Sequence, residues 1–176
     1  MKRIALALFT LVALTACQQN QKAEATGDLP FFQFDVVEHY KVPYSKTALD
    51  SIIGKEDKTR MEQGLLQIVT GNIPVSTKDT LFIKNMEILG YQKTLLDPKI
   101  YPQIKHLFSK REPSKPIQPS CQSGYTDVLV FREKGKFVGS AKISFDCQRH
   151  QMIGERYNDA DFGQSGEYEE LKKLLE

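Results

Sequence analysis

The residues CQSGYTDVLVFREKGKFVGSAKISFDC, at positions 121–147, constrain the fold more than any other stretch of this chain. Two runs rich in β-branched and aromatic residues, 125–132 and 136–146, flank Glu133, Lys134 and Gly135. A three-residue hairpin loop closes with a residue in the left-handed region, and Gly135 stands in that third place. This loop sets a register in which Phe131 faces Phe137, Leu129 faces Gly139 and Tyr125 faces Ile143. Carried outward, the same register sets Cys121 opposite Cys147 on the apolar face. One residue offends the pattern: Asp127 falls on the apolar parity, opposite Ala141, where an unpaired carboxylate is costly to bury. It is either a pocket acid that binds ligand or serves catalysis, or a carboxylate satisfied by a hydrogen-bonded partner or an exposed edge.

The beginning of the chain decides the compartment. Met1, Lys2 and Arg3 precede thirteen uncharged residues, IALALFTLVALTA, which end in the small pair Thr15 and Ala16. That is the layout of a secretory signal over residues 1–16. It falls short of the roughly 20 apolar residues that span a bilayer. The tetrad Leu14, Thr15, Ala16, Cys17 resembles the lipobox of bacterial lipoproteins. The resemblance implies that the Cys17 thiol carries a diacylglyceryl group, that the signal is cut before it, and that the new amino terminus is acylated, for example with palmitate. Several acyl chains, each methylene contributing about 0.8 kcal/mol, attach far more durably than one chain. Gln18 in place of Asp resembles the outer-membrane sorting pattern of Gram-negative lipoproteins.

With Cys17 acylated, two thiols remain in an oxidising compartment, and a Cys121–Cys147 disulfide is expected. Two buried free thiols are the alternative. A metal centre is not, since two cysteines so far apart without a paired histidine cluster do not supply tetrahedral ligands. Lys2 and Arg3 also account for the whole formal charge of +2, so the mature chain is close to neutral. A nucleic-acid partner therefore lacks its electrostatic motive.

Residues 17–30 read as the lipidated cysteine and a flexible tether, holding the domain about 20 Å from the bilayer. Residues 31–176 suit a single α+β domain with a real core. The alternation of Phe32, Phe34, Val36 and Tyr40 predicts a half-buried N-terminal strand, although aromatics beside a lipid tether could instead dip into the membrane. Ser45 is placed to cap a helix through Ile53. A second helix is expected over 56–69, with Met61, Leu65 and Ile68 inward, and a third over 79–92 with Phe82, Met86 and Leu89 inward. A fourth resumes after Pro102 with Ile104, Leu107 and Phe108 inward. Pro113, Pro116 and Pro119 favour a polyproline II connector or a ligand for an aromatic groove. Ser165 is placed to cap a last helix whose early glutamates and late lysines suit the helix dipole, with Tyr168, Leu171 and Leu175 inward.

Other patterns resemble chemistry without its context. Asp161-Phe162-Gly163 spells the kinase metal tripeptide, but no glycine-rich loop precedes it. Gly163-Gln164-Ser165-Gly166 misses the spacing of a nucleophile elbow. Asp159, Asp161 and Glu167 miss the EF-hand spacing for calcium. His39, His106 and His150 are scattered. No cofactor or metal is implied. The paired cysteines, YTDVLVF, GKFVGSAKISFDC and FGQSGEYEELKKLL resemble a group of uncharacterised bacterial envelope lipoproteins, which implies an α+β domain and no particular activity. The expected function is a lipid-anchored, non-catalytic binding module that meets an envelope protein or component. The alternatives are an immunity or inhibitor lipoprotein, or an envelope hydrolase using Asp127 with a nearby histidine, a reading that a pocket pairing Asp127 with His106 or His150 would favour.

Overall fold

The computed structural model describes residues 29–113, 121 and 124–176. The expected signal and most of the expected tether, Cys17 included, fall on residues 1–28 and lie outside them, as do residues 114–120, with Pro116 and Pro119 of the expected connector, and residues 122–123. The chain runs β1 (Leu29–Pro30), β2 (Val36–Lys41), α1 (Lys46–Gly54), α2 (Arg60–Val69), α3 (Leu81–Ile88) and β3 (Gln92–Leu95). A 3-10 turn (Pro98–Ile100), α4 (Tyr101–Leu107), β4 (Ser109–Lys110), β5 (Asp127–Glu133), β6 (Lys136–Ser144), β7 (Arg149–Ile153) and α5 (Glu167–Leu175) follow. The architecture is α+β, as the sequence predicts.

Five antiparallel strands form the main sheet in the order β3-β2-β5-β6-β7. Both of its faces are covered. Tyr40, Val128 and Val130 pack against Leu49, Leu65, Ile68, Phe82 and Met86 of α1, α2 and α3. Val37, Leu129, Phe131, Ala141, Ile143 and Met152 pack against Ile104 and Leu107 of α4 and Tyr168 and Leu171 of α5. Burial on both sides explains why Val128, Leu129, Val130 and Phe131 form an unbroken apolar run, all four at 0% exposure.

The hairpin is present with a different turn. Its loop has two residues, Lys134 and Gly135, with φ of 50° and 75°, and Glu133 pairs with Lys136. Two consecutive positive φ values match the primed turn that suits twisted strands. The register then shifts once more at a bulge between Phe131 and Arg132, so that Phe131 faces Gly139, Leu129 faces Ala141 and Asp127 faces Ile143. Each irregularity moves the pairing by one residue. Together they restore the expected parity for residues 127–131, and Phe137, opposite Arg132, turns to the α3 face against Phe82 at 5.6 Å.

The N-terminal strand begins at Val36 rather than Phe32. Phe31, Phe32 and Phe34 instead lie in a loop that crosses the sheet and are 2%, 1% and 7% exposed. Phe32 stacks on Phe131 with centroids 4.2 Å apart, and Phe34 meets Phe131 at 5.3 Å. Each buried ring contributes about 1.5–3 kcal/mol, so these side chains belong to the core and not to a membrane surface. Gly139 makes this possible, because a Cβ there would meet the Phe32 ring at 2.5 Å and the Ile153 carbonyl at 2.6 Å. Leu29 and Pro30, assigned to the tether above, pair with Lys110 and Ser109.

Local capping accounts for the helix starts. Ser45 Oγ accepts from Ala48 N at 3.3 Å, as expected. The second helix starts at Arg60, because Thr59 and Glu62 form a reciprocal capping box that satisfies two of the free N–H groups. Met61 consequently points outward, at 52% exposure. Ser165 does not cap α5. Gly166 holds that place with φ of 93°, and Ser165 N donates to Glu167 Oε2 at 2.8 Å.

Candidate functional site

Asp127 opens β5 and is 4% exposed. Its partner is His39 of β2, whose Nε2 donates to Asp127 Oδ1 at 2.8 Å. Thr126 Oγ1 donates to Asp127 Oδ2 at 2.7 Å. Both carboxylate oxygens are thus engaged within the sheet, which is how a buried carboxylate is normally accommodated. The pairing with His106 or His150 does not form. Asp127 faces Ile143, and Ile143 faces His150, so two strand spacings of about 10 Å lie between the carboxylate and that imidazole. His106 sits on α4.

Cys121 and Cys147 are joined as a disulfide with Cα atoms 5.1 Å apart. The bond lies beyond the last ladder pair, where β6 has given way to a turn at residues 145–148. It ties the segment entering β5 to the turn between β6 and β7. Tyr125 follows one cysteine, and Gln148, Arg149 and His150 follow the other.

These residues line a cleft of about 300 Å³ at the stapled end of the sheet, completed by Ala160, Phe162, Gln164 and Tyr168. His150 anchors it. Its Nε2 lies 3.5 Å from Asp159 Oδ2, and its Nδ1 lies 2.8 Å from the Tyr168 hydroxyl. A carboxylate only accepts, so in the neutral ring Nε2 carries the proton and Nδ1 accepts from Tyr168. The hydrogen bond from His150 holds the Asp159 carboxyl below its usual range. Burial pushes the Tyr168 phenol up, which keeps it a neutral donor. Phe162 forms the floor, 4.9 Å from His150 edge to face and stacked on Phe108 at 5.1 Å. The Asp161-Phe162-Gly163 tripeptide therefore serves packing. A Cβ on Gly163 would collide with the Tyr168 ring.

Tyr125 forms the opposite wall, with two cations against its ring. Arg149 stands 5.5 Å from the ring centroid and Lys142 4.8 Å, both within cation–π range. Lys142 is 1% exposed and donates to the carbonyls of Ile68, Gly71 and Ile73 at 2.9, 2.7 and 2.9 Å. Those carbonyls end α2 and begin the following loop, so the ammonium completes that helix terminus. Burial pulls it down to about 8.

Of the three acids that miss the EF-hand spacing, two are engaged elsewhere. Asp159 serves His150, while Glu167 is 1% exposed, with one oxygen on Ser165 N and the other 3.7 Å from Arg111. Among the described residues, no three His, Cys, Asp or Glu side chains converge to hold a metal, and no helix is long and apolar enough to cross a membrane. A second opening of about 490 Å³ runs between α4 and α5, lined by Pro102, Gln103, His106, Leu107, Lys173 and Leu174 among others. It is apolar, whereas the His150 cleft brings several polar groups together over aromatic walls, the usual composition of a ligand seat.

No family model, curated protein or solved structure matches the chain. The site is therefore read from its own chemistry. Sequence reasoning located Asp127 and the two cysteines but missed Arg149, Lys142 and the pairing of His150 with Tyr168. One usable signal was present: the polar residues Gln148, Arg149 and His150 directly follow a cysteine predicted to be stapled.

Proposed function

We propose that this protein is a lipid-anchored envelope protein, held by Cys17 in the outer membrane, that acts as a non-catalytic binding module with the His150 cleft as its ligand seat. The lipobox resemblance, the near-neutral mature chain and Gln18 after the modified cysteine support the location. The observation that carries the binding reading is the arrangement of polar groups at the stapled end. Arg149, Gln148 and Gln164 border an open cleft. The acid–histidine pair Asp127 with His39, in the sheet, is buried and also engaged by Thr126. His150 faces Asp159 and Tyr168 in a fixed hydrogen-bonded chain that orients the cleft wall. A carboxylate, an imidazole and a phenol bound to one another in this way build a rigid surface, as pre-organised recognition requires.

The test is in-cell photo-cross-linking. A photoreactive benzoyl-phenylalanine in place of Ala160, which is exposed and lines the cleft, should capture an envelope component in intact cells. The same group in place of the exposed Lys99 should not. Equal labelling from both positions, or none from Ala160, contradicts the cleft as the seat.

A further inference from the structure

Building on the cleft as ligand seat, we infer that it takes a small ring-bearing organic carboxylate, anchored through its carboxylate by Arg149 and through its ring by Tyr125 and Phe162. Two cations, Arg149 and Lys142, converge on one face of the molecule around Tyr125, and neither has a carboxylate partner among the described residues. The acids of the rim are already engaged. Asp159 accepts from His150, and Glu169 accepts from Gln148 Nε2 at 2.9 Å. These bonds hold the two carboxylates on neutral partners, so Arg149, which borders the cleft beside the Tyr125 ring, keeps its guanidinium donors for an incoming anion.

The shape of the donor narrows the anion. A guanidinium presents a planar fork that matches a carboxylate with two parallel hydrogen bonds. Lys142 is spent on three carbonyls beneath the ring, so it adds potential rather than a direct contact. Around Arg149 the walls are Tyr125, Phe162 and Tyr168, flat surfaces for the body of the ligand. A volume of about 300 Å³ is at the small end of ligand pockets, which suits one ring. Sugar acids and aromatic acids share this chemistry.

The experiment is calorimetric titration of the full-length protein in detergent with glucuronate and with benzoate. Their neutral counterparts, glucose and benzyl alcohol, and inorganic phosphate are run beside them. Saturable binding of one or both carboxylates is expected, the arm that binds more tightly giving the source. Neutral counterparts and phosphate should bind at least about tenfold more weakly. Arg149→Gln should weaken carboxylate binding by about tenfold or more, Arg149→Lys should restore part of it, and Lys99→Gln should leave it unchanged. A thermal melt on each variant separates lost binding from lost fold. Binding of the neutral compounds at equal strength, or full binding by a folded Arg149→Gln variant, overturns the carboxylate assignment and leaves the cleft as a seat for another ligand. Equal binding of phosphate, or binding of neither acid, also overturns it. Cross-linking from Ala160 is read separately, and its failure removes the seat itself.

Discussion

At the scale of single residues, the buried carboxylates of the sheet are held by specific partners. Asp127 accepts from His39 and Thr126, and Glu38 accepts from Lys93 at 2.8 Å and Arg132 at 3.1 Å. Replacing Asp127 by Asn keeps the size but gives His39 a weaker acceptor. We expect a loss of about 1–3 kcal/mol in thermal or denaturant unfolding, with binding at the His150 cleft unchanged. A loss of binding without a loss of stability would restore Asp127 as a pocket acid. Lys142 gives a pH prediction of definite sign. Its ammonium is lowered to about 8 in the folded protein and titrates near 10.4 in the unfolded chain. Between those values the unfolded state binds more protons, so this group's contribution to stability rises with pH. The melting temperature of the wild type should therefore gain on that of Lys142→Met between about pH 8 and pH 9.5. Parallel profiles would show that burial does not perturb the lysine.

At the scale of elements, the hairpin was legible in its faces and illegible in its turn. Gly135 marks the turn correctly. The preceding Lys134 also adopts a positive φ, which non-glycine residues seldom do, so a longer loop is the natural sequence reading. The bulge at Phe131 leaves no mark in the residue pattern, and its single step cancels the error in parity. Strand β7, RHQMI, was missed because its residues are mostly half-buried and polar, and β3, QKTL, because all four residues are exposed at an edge. Lys93 in β3 blunts that edge, as lysine on edge strands does. The staple is an element-scale device whose removal is predicted to act in two ways. The double variant Cys121→Ala/Cys147→Ala, opening a loop of sequence separation 26, should lose about 3–4 kcal/mol on a chain-entropy basis. Amide hydrogen exchange should rise more at Gln148–Gln151 than at Val37–His39, since the first segment borders the cleft beside the bond and the second lies mid-sheet. Uniform acceleration across both strands would show that the disulfide sustains overall stability without organising the cleft.

At the scale of the whole molecule, the described residues form a sheet covered on both faces. The α+β class, the disulfide pair and most inward positions of the last four helices follow from residue spacing and chemistry, Met61 being the exception. The strand order and the meeting of Tyr125, Arg149, His150 and Tyr168 depend on long-range pairing, which no local pattern encodes. One sheet end gathers the staple, the two cations against Tyr125 and the aromatic walls, and on the reading proposed above it works as the seat of a tethered module. The central claim is that this domain operates on a lipid leash from Cys17. Mass spectrometry of the N-terminal peptide of the protein purified from membranes tests it most directly. The account predicts a peptide that begins at Cys17 and is heavier by a diacylglyceryl group and an amide-linked acyl chain. An unmodified peptide that still begins at Met1 would contradict it.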